Sequence, residues 1–149
     1  MNLLNIVDES LIVFDKNIST KKQLFLCIAE LLENQNRITN KTEIIRAFNK
    51  RESEISTGIE EGFGIPHAKS KCVNKPSIVF VHSNNIDDYI ALDGTLIECS
   101  IAIVVPENDF DAHLDILSSL ARKLIDKDFR NMLRESYDAN EILGYLKNI

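Results

Sequence analysis

Glycine and proline are scarce, five and three among 149 residues, while hydrophobic residues make up 44% and charged residues 27%. That balance excludes disordered, collagen-like and low-complexity classes, so the chain is expected to fold. Long apolar runs are missing as well. The longest unbroken one runs from Leu24 to Ala29, against the roughly 18 residues that a membrane span takes, so no direct membrane insertion is expected. Cysteine occurs three times, an odd number at irregular spacing, which argues against a disulfide framework and for reduced thiols. Cys27 and Cys99 fall on apolar faces and read as core. Positive charge is in deficit, 17 basic against 23 acidic residues for a net charge of −6. A chain of that charge opposes a polyphosphate backbone, which excludes nucleic acid as a partner. The lysines at 16–22 and 69–75 read as solvated faces. No basic leader is visible, since the first lysine is Lys16, and a cytoplasmic protein is expected.

What is present suits a single domain over residues 1–149, long enough to bury roughly 70% of its unfolded surface without metals or disulfides. Leu11–Phe14 has strand composition, and Ser19 or Thr20 offers an N-cap to a helix whose Leu24, Cys27, Ile28, Leu31 and Leu32 share a face. Asn40 and Glu43 suggest a capping box for a second helix reaching about Arg51. Residues 56–67 gather three of the five glycines and Pro66, a composition for tight turns and close backbone approach. They are expected to form a functional loop entering a short strand. Ser77–His82 and Ile97–Val105 read as strands with Asp93-Gly94 as a hairpin turn between them. The second, with Ile97, Cys99, Ile101, Ile103 and Val105 on one side and Ala102 and Val104 on the other, reads as central and covered on both faces. A helix from Ala112 carries a stripe of Leu114, Leu117, Leu120, Ala121 and Leu124. Asp138 to Glu141 opens a last helix through a box-like cap. This order implies an α/β fold, a sheet layered with helices.

Chemistry is limited by a shortage of candidates. Of three histidines, His67 follows Pro66, whose ring fixes the backbone, at the end of the glycine-bearing loop. His113 opens a helix, where free N–H groups favour an anion. His82 ends a strand and is expected to be an edge residue without a role. Ligands for a zinc site do not cluster, since His67 and Cys72 are the only suggestive neighbours. Gly-x-Ser-x-Gly, P-loop and Gly-x-Gly-x-x-Gly motifs are all missing. Glu60 and Glu61 are adjacent and do not face each other as a glycosidase pair would.

The stretch from Gly58 to Ala68, GIEEGFGIPHA, resembles the phosphorylation-site signature of the fructose and mannitol type of enzyme IIA domain in the bacterial phosphoenolpyruvate-dependent sugar phosphotransferase system. Arg51-Glu52, Ala91-Leu92-Asp93-Gly94, Val104-Val105-Pro106, and His113-Leu114 with the leucine stripe after it match in order and spacing, so the resemblance covers essentially the whole chain. Glu60, Glu61 and Gly64 depart from the fructose pattern, which commonly has Gly, Asn and Ala there. Glu61 stands instead where mannitol-type domains carry an acidic residue.

The resemblance implies an α/β fold with a central mixed β-sheet flanked by helices, and a phosphocarrier without cofactor or metal. His67 would take a phosphoryl group on Nε2 from phosphorylated HPr and deliver it to an enzyme IIB component. Arg51 would hold the phosphoryl oxygens, His113 would donate to the phosphate or hold the acceptor face, and Thr57 would add a hydroxyl contact. Glu61 would pair with Arg51 or orient an imidazole N–H. Phe63 and Ile65 would form part of a transient docking surface. Two other readings stay open: a regulatory module like the nitrogen-related members of the family, and an unrelated binding protein in which His67 is incidental.

Overall fold

In the computed structural model, residues 6–148 are described, Phe110 by its backbone only. A 3-10 turn, Glu9–Leu11, leads into strand β1, Ile12–Asp15. Thr20 then caps helix α1, Lys21–Asn34, in a full capping box with Gln23. Its buried face is Leu24, Phe25, Ile28, Ala29 and Leu32, with Cys27 and Leu31 at the margin. Asn40 caps α2, Lys41–Glu54, by accepting from the Glu43 N–H. The box is half made, because the Glu43 carboxylate accepts from Ser70 Oγ instead.

Residues 56–67 divide between short strands and the turns that join them. Strand β2, Gly58–Glu60, turns into β3, Phe63–Gly64, through Glu61 and Gly62, both left-handed at φ 49° and 83°. Two successive positive φ values suit a tight hairpin. Strand β4, His67–Ser70, follows, then β5, Ser77–Ser83, and β6, Cys99–Pro106. The sheet runs β1-β5-β6-β3-β2, with β4 also on β6. It is mixed, as expected: β1 is parallel to β5, β3 and β4 are parallel to β6, and β5 and β2 are antiparallel to their neighbours β6 and β3. Gly64 lies opposite Ser100 and His67 opposite Ile103, so β3 and β4 keep one register along β6. Between them Pro66 has no N–H to give, but its carbonyl still accepts from Ile103 N, while the Ile65 N–H goes to the Thr57 carbonyl. Asp93-Gly94 does not join β5 to β6 directly. It tips a small excursion closed by the Ile90–Leu96 bridge, with Gly94 at φ 86°.

Alternation along the two central strands divides the core. Val79, Val81, Ala102 and Val104 face α1 and α2, whereas Ile78, Phe80, Cys99, Ile101, Ile103 and Val105 face the C-terminal helices. Ile97, two residues before β6, joins the first group rather than the second. Those helices are α3, Phe110–Leu124, α4, Lys127–Glu135, and α5, Ala139–Lys147. Helix α4 has no counterpart in the sequence reading. The stripe on α3 is also rotated: Ile116, Leu120 and Leu124 are buried, whereas Leu114 is 59% exposed. Among the described residues no helix is long and apolar enough to cross a membrane.

Three expectations about surface residues are corrected by this packing. Phe63 and Ile65, expected at a docking surface, are 0% and 3% exposed, because their side chains fall on the side of the sheet that α3–α5 cover. His82 is no edge residue: β5 lies between β1 and β6, and the ring is 2% exposed, stacked on Tyr137 with Nε2 3.6 Å from Glu98. Replacing Phe63 by alanine is therefore expected to destabilise the fold by about 3–5 kcal/mol, read as a lowered denaturant midpoint. A midpoint like that of the wild type would contradict the buried assignment.

Candidate active site

His67, Arg51 and His113 come together from three elements. His67 opens β4 beside the central strand, Arg51 lies in the last turn of α2, and His113 sits in the first turn of α3, whose Asp109 cap accepts from Ala112 N. Arg51 Nε donates to His67 Nε2 at 3.1 Å, and His67 Nδ1 lies 2.8 Å from the Ile65 carbonyl oxygen. A guanidinium only donates and a carbonyl only accepts. The proton of the neutral ring is thereby assigned to Nδ1, leaving the lone pair on Nε2. The two imidazoles stand 5.4 Å apart between centroids, and His113 Nε2 is buried without a hydrogen-bond partner among the described residues.

A pocket of about 350 Å³ opens over these groups, walled by Ala47, Lys50, Arg51, Glu54, Lys69 and the two histidines. Its cations favour an anion, and they add to burial in disfavouring the charged form of both histidines. Burial holds the His67 pKa below its ordinary value; the hydrogen bond to the Ile65 carbonyl opposes this, while Arg51 and Lys69 reinforce it. His113 is lowered in the same sense, by burial first and then by His67, Lys69 and Arg51. No group of three or more metal-ligating side chains occurs among the described residues.

Two residues expected at the site are engaged elsewhere. Thr57 is buried, its hydroxyl donating to Glu52 at 2.6 Å and lying 2.5 Å from the Tyr89 hydroxyl, so it stands behind the site. Glu61 pairs with Arg130 at 3.0 Å rather than with Arg51, whose own partners are His67 and the Ile55 carbonyl. Its N–H donates to Asp93 and its carbonyl accepts from Arg134. Arg130, itself buried, also donates to the carbonyls of Leu124 and Ile125 at the end of α3. Glu61 thus fixes the β2–β3 turn against the α3–α4 corner. That pairing spans 69 positions, and no local pattern announces it. Residues that the sequence reading passed over include Glu52, beside Arg51 in the motif, and Tyr89, for which no signal exists in the chain. The exposed apolar side chains on the site's own segments are Ile55, Ile90, Leu92 and Leu114. Ser56 donates to the Ile90 carbonyl and Leu92 N to that of Gly58, which ties the segment after Ile55 to the one carrying Ile90 and Leu92.

This layered α/β architecture is that of the phosphotransferase-system IIA domains. A solved complex of mannitol enzyme IIA with phosphorylated mannitol enzyme IIB from Escherichia coli superimposes with a TM-score of 0.75 over 96% of this chain and 98% of the other, at 19% identity. The nitrogen regulatory protein IIA-Ntr from Neisseria meningitidis gives 0.87 at 30% identity, over 95% and 96%. A fructose-specific EIIA component of Haloferax volcanii is 31% identical over 139 residues, 93% of this chain and 90% of that protein. The model of the family described as "Phosphoenolpyruvate-dependent sugar phosphotransferase system, EIIA 2" matches residues 5–149, and the chain belongs to that family.

Proposed function

We propose that this chain is a single cytoplasmic phosphocarrier domain in which His67 Nε2 accepts a phosphoryl group from phosphorylated HPr and passes it to the cysteine of an enzyme IIB component, supporting sugar uptake. The observation that carries this reading is the pair of bonds on the His67 ring, Nδ1 to the Ile65 carbonyl and Nε2 to Arg51. In the forward step the Nε2 lone pair forms the bond to phosphorus while the bond from phosphorus to the carrier's imidazole nitrogen breaks, its electron pair leaving with the carrier. The proton stays on Nδ1 throughout. Once Nε2 is bonded to phosphorus it no longer accepts, and the Arg51 N–H groups turn to the phosphoryl oxygens, where a planar fork of donors suits equatorial charge. His113 faces the same space and supplies a further donor. In the second step a thiolate of the acceptor takes the phosphorus and Nε2 recovers its pair. Ile55, Ile90, Leu92 and Leu114 give the visiting carriers an apolar rim.

Similarity to nitrogen regulatory IIA-Ntr over nearly the whole chain favours a second reading, in which the phosphorylation state of His67 governs binding to another protein. One experiment addresses both. The protein is incubated with phosphoenolpyruvate, enzyme I and HPr and followed by intact mass, then mixed with enzyme IIB. Acid-labile gain of one phosphoryl group and its passage to an enzyme IIB cysteine support transport. Uptake without any acceptor supports regulation, and no uptake overturns both.

A further inference from the structure

Tyr89 lies outside every motif of the chain, yet it is 0% exposed and its hydroxyl is 2.5 Å from Thr57 Oγ1. The direction of that bond follows from its neighbour. Thr57 Oγ1 lies 2.6 Å from the Glu52 carboxylate, which only accepts, so the threonine hydrogen goes to Glu52 and the phenol must donate to Thr57. Burial first of all holds the phenol's pKa far above its ordinary value, so it stays a donor at any working pH. The same carboxylate accepts from the Thr57 backbone N–H at 3.2 and 3.3 Å. Thr57 is thereby held at both ends of its side chain and backbone.

From Thr57 the chain of contacts runs to the nucleophile. The Thr57 carbonyl accepts from Ile65 N at 3.0 Å, and the Ile65 carbonyl accepts from His67 Nδ1 at 2.8 Å. Tyr89 also bears on the other neighbour of Ile65. A Cβ added at Gly64 would stand 2.6 Å from the Tyr89 hydroxyl oxygen and 2.9 Å from Cζ, so the phenol occupies the room that a methyl at position 64 would take. One hydroxyl thus braces Thr57, which holds the Ile65 N–H, and fills the space beside Gly64, so it constrains the backbone entering Ile65, whose own carbonyl faces His67. The direction of that carbonyl in turn decides which ring nitrogen of His67 carries the proton.

We infer that Tyr89 is a positioning residue for phosphoryl transfer: through Thr57 and Gly64 it aims the Ile65 carbonyl at His67 Nδ1 and so keeps the Nε2 lone pair available. This rests on the reading of His67 as the phosphoryl acceptor. Gly64 and Tyr89 form a matched pair, and neither is replaceable alone without loosening the aim.

The test uses the full chain with Tyr89→Phe, Thr57→Val and Gly64→Ala. Two readouts are taken: the imidazole nitrogen spectrum of His67 against pH, and the rate of phosphoryl uptake from HPr phosphorylated by phosphoenolpyruvate and enzyme I. The wild type should show a neutral ring protonated on Nδ1. Tyr89→Phe and Gly64→Ala should each mix the two tautomers and slow uptake by about tenfold, a modest misalignment on the scale where about 1 Å of misplacement loses 10²-fold. The double variant should be no slower than the worse single one, because both changes disconnect the same brace. If Tyr89→Phe fails to fold, Thr57→Val carries the same expectation, since it removes the hydroxyl that joins phenol to carboxylate. An Nδ1-protonated ring in all the folded variants overturns the inference, whether or not transfer is slowed. If the wild type takes up no phosphoryl group, the acceptor reading falls, while the tautomer comparison still decides the role of Tyr89.

Discussion

Replacing His67 by alanine is expected to abolish phosphoryl uptake altogether, with the fold retained. The ring is partly exposed at the head of β4, and its loss leaves the two core clusters intact. Among the described residues, His113 is the other imidazole that lines the pocket. His113 Nε2 is buried without a hydrogen-bond partner among the described residues. Intact-mass measurement after incubation with phosphoenolpyruvate, enzyme I and HPr should show the unmodified protein only, beside full conversion of the wild type. Acid-labile label on the His67→Ala protein would remove the assignment, and His113 would then be the residue to examine.

Much of the layered fold is readable in the chain because it depends on short-range pattern. The alternation in β6, the threonine cap with Gln23 and the asparagine cap before α2 each state a local preference that the packing then agrees with. The site is half readable. Pro66-His67 and Arg51 stand in recognisable runs, and the structure brings them within 3.1 Å. Other assignments depend on partners distant in the chain. Glu61 sits near His67 in sequence, but the left-handed turn at Glu61 and Gly62 sends its carboxylate to Arg130 on α4. Phe63 and Ile65 flank the same run and are covered because the C-terminal helices pack on their side of the sheet. Helix α4 is nine residues long with Arg130 on its buried side, so its apolar stripe is interrupted where a periodic reading would look for it. Leu114 is exposed for a related reason: α3 starts at Phe110, and the face that meets the sheet is set by Ile116, Leu120 and Leu124.

Arg51→Ala should leave the fold in place and slow phosphoryl uptake by about 10²–10³-fold, the scale seen when one preorganised donor to developing negative charge is removed. Its effect on pH is separate and has a definite sign. Arg51 contributes to the lowering of the His67 pKa, after burial and against the opposing bond to the Ile65 carbonyl. Without that positive charge the pKa rises toward its ordinary value, so the ring protonates at higher pH as acid is added. A protonated Nε2 has no pair to give, and the acid limb of the rate profile should therefore move to higher pH in Arg51→Ala than in the wild type. Arg51→Lys keeps the charge but not the fork, so it should hold the acid limb near its wild-type position while recovering only part of the rate. A slower Arg51→Ala enzyme with an acid limb unmoved would mean that the guanidinium binds phosphoryl oxygens without tuning the ring. Rates unchanged in both variants would remove Arg51 from the transfer step.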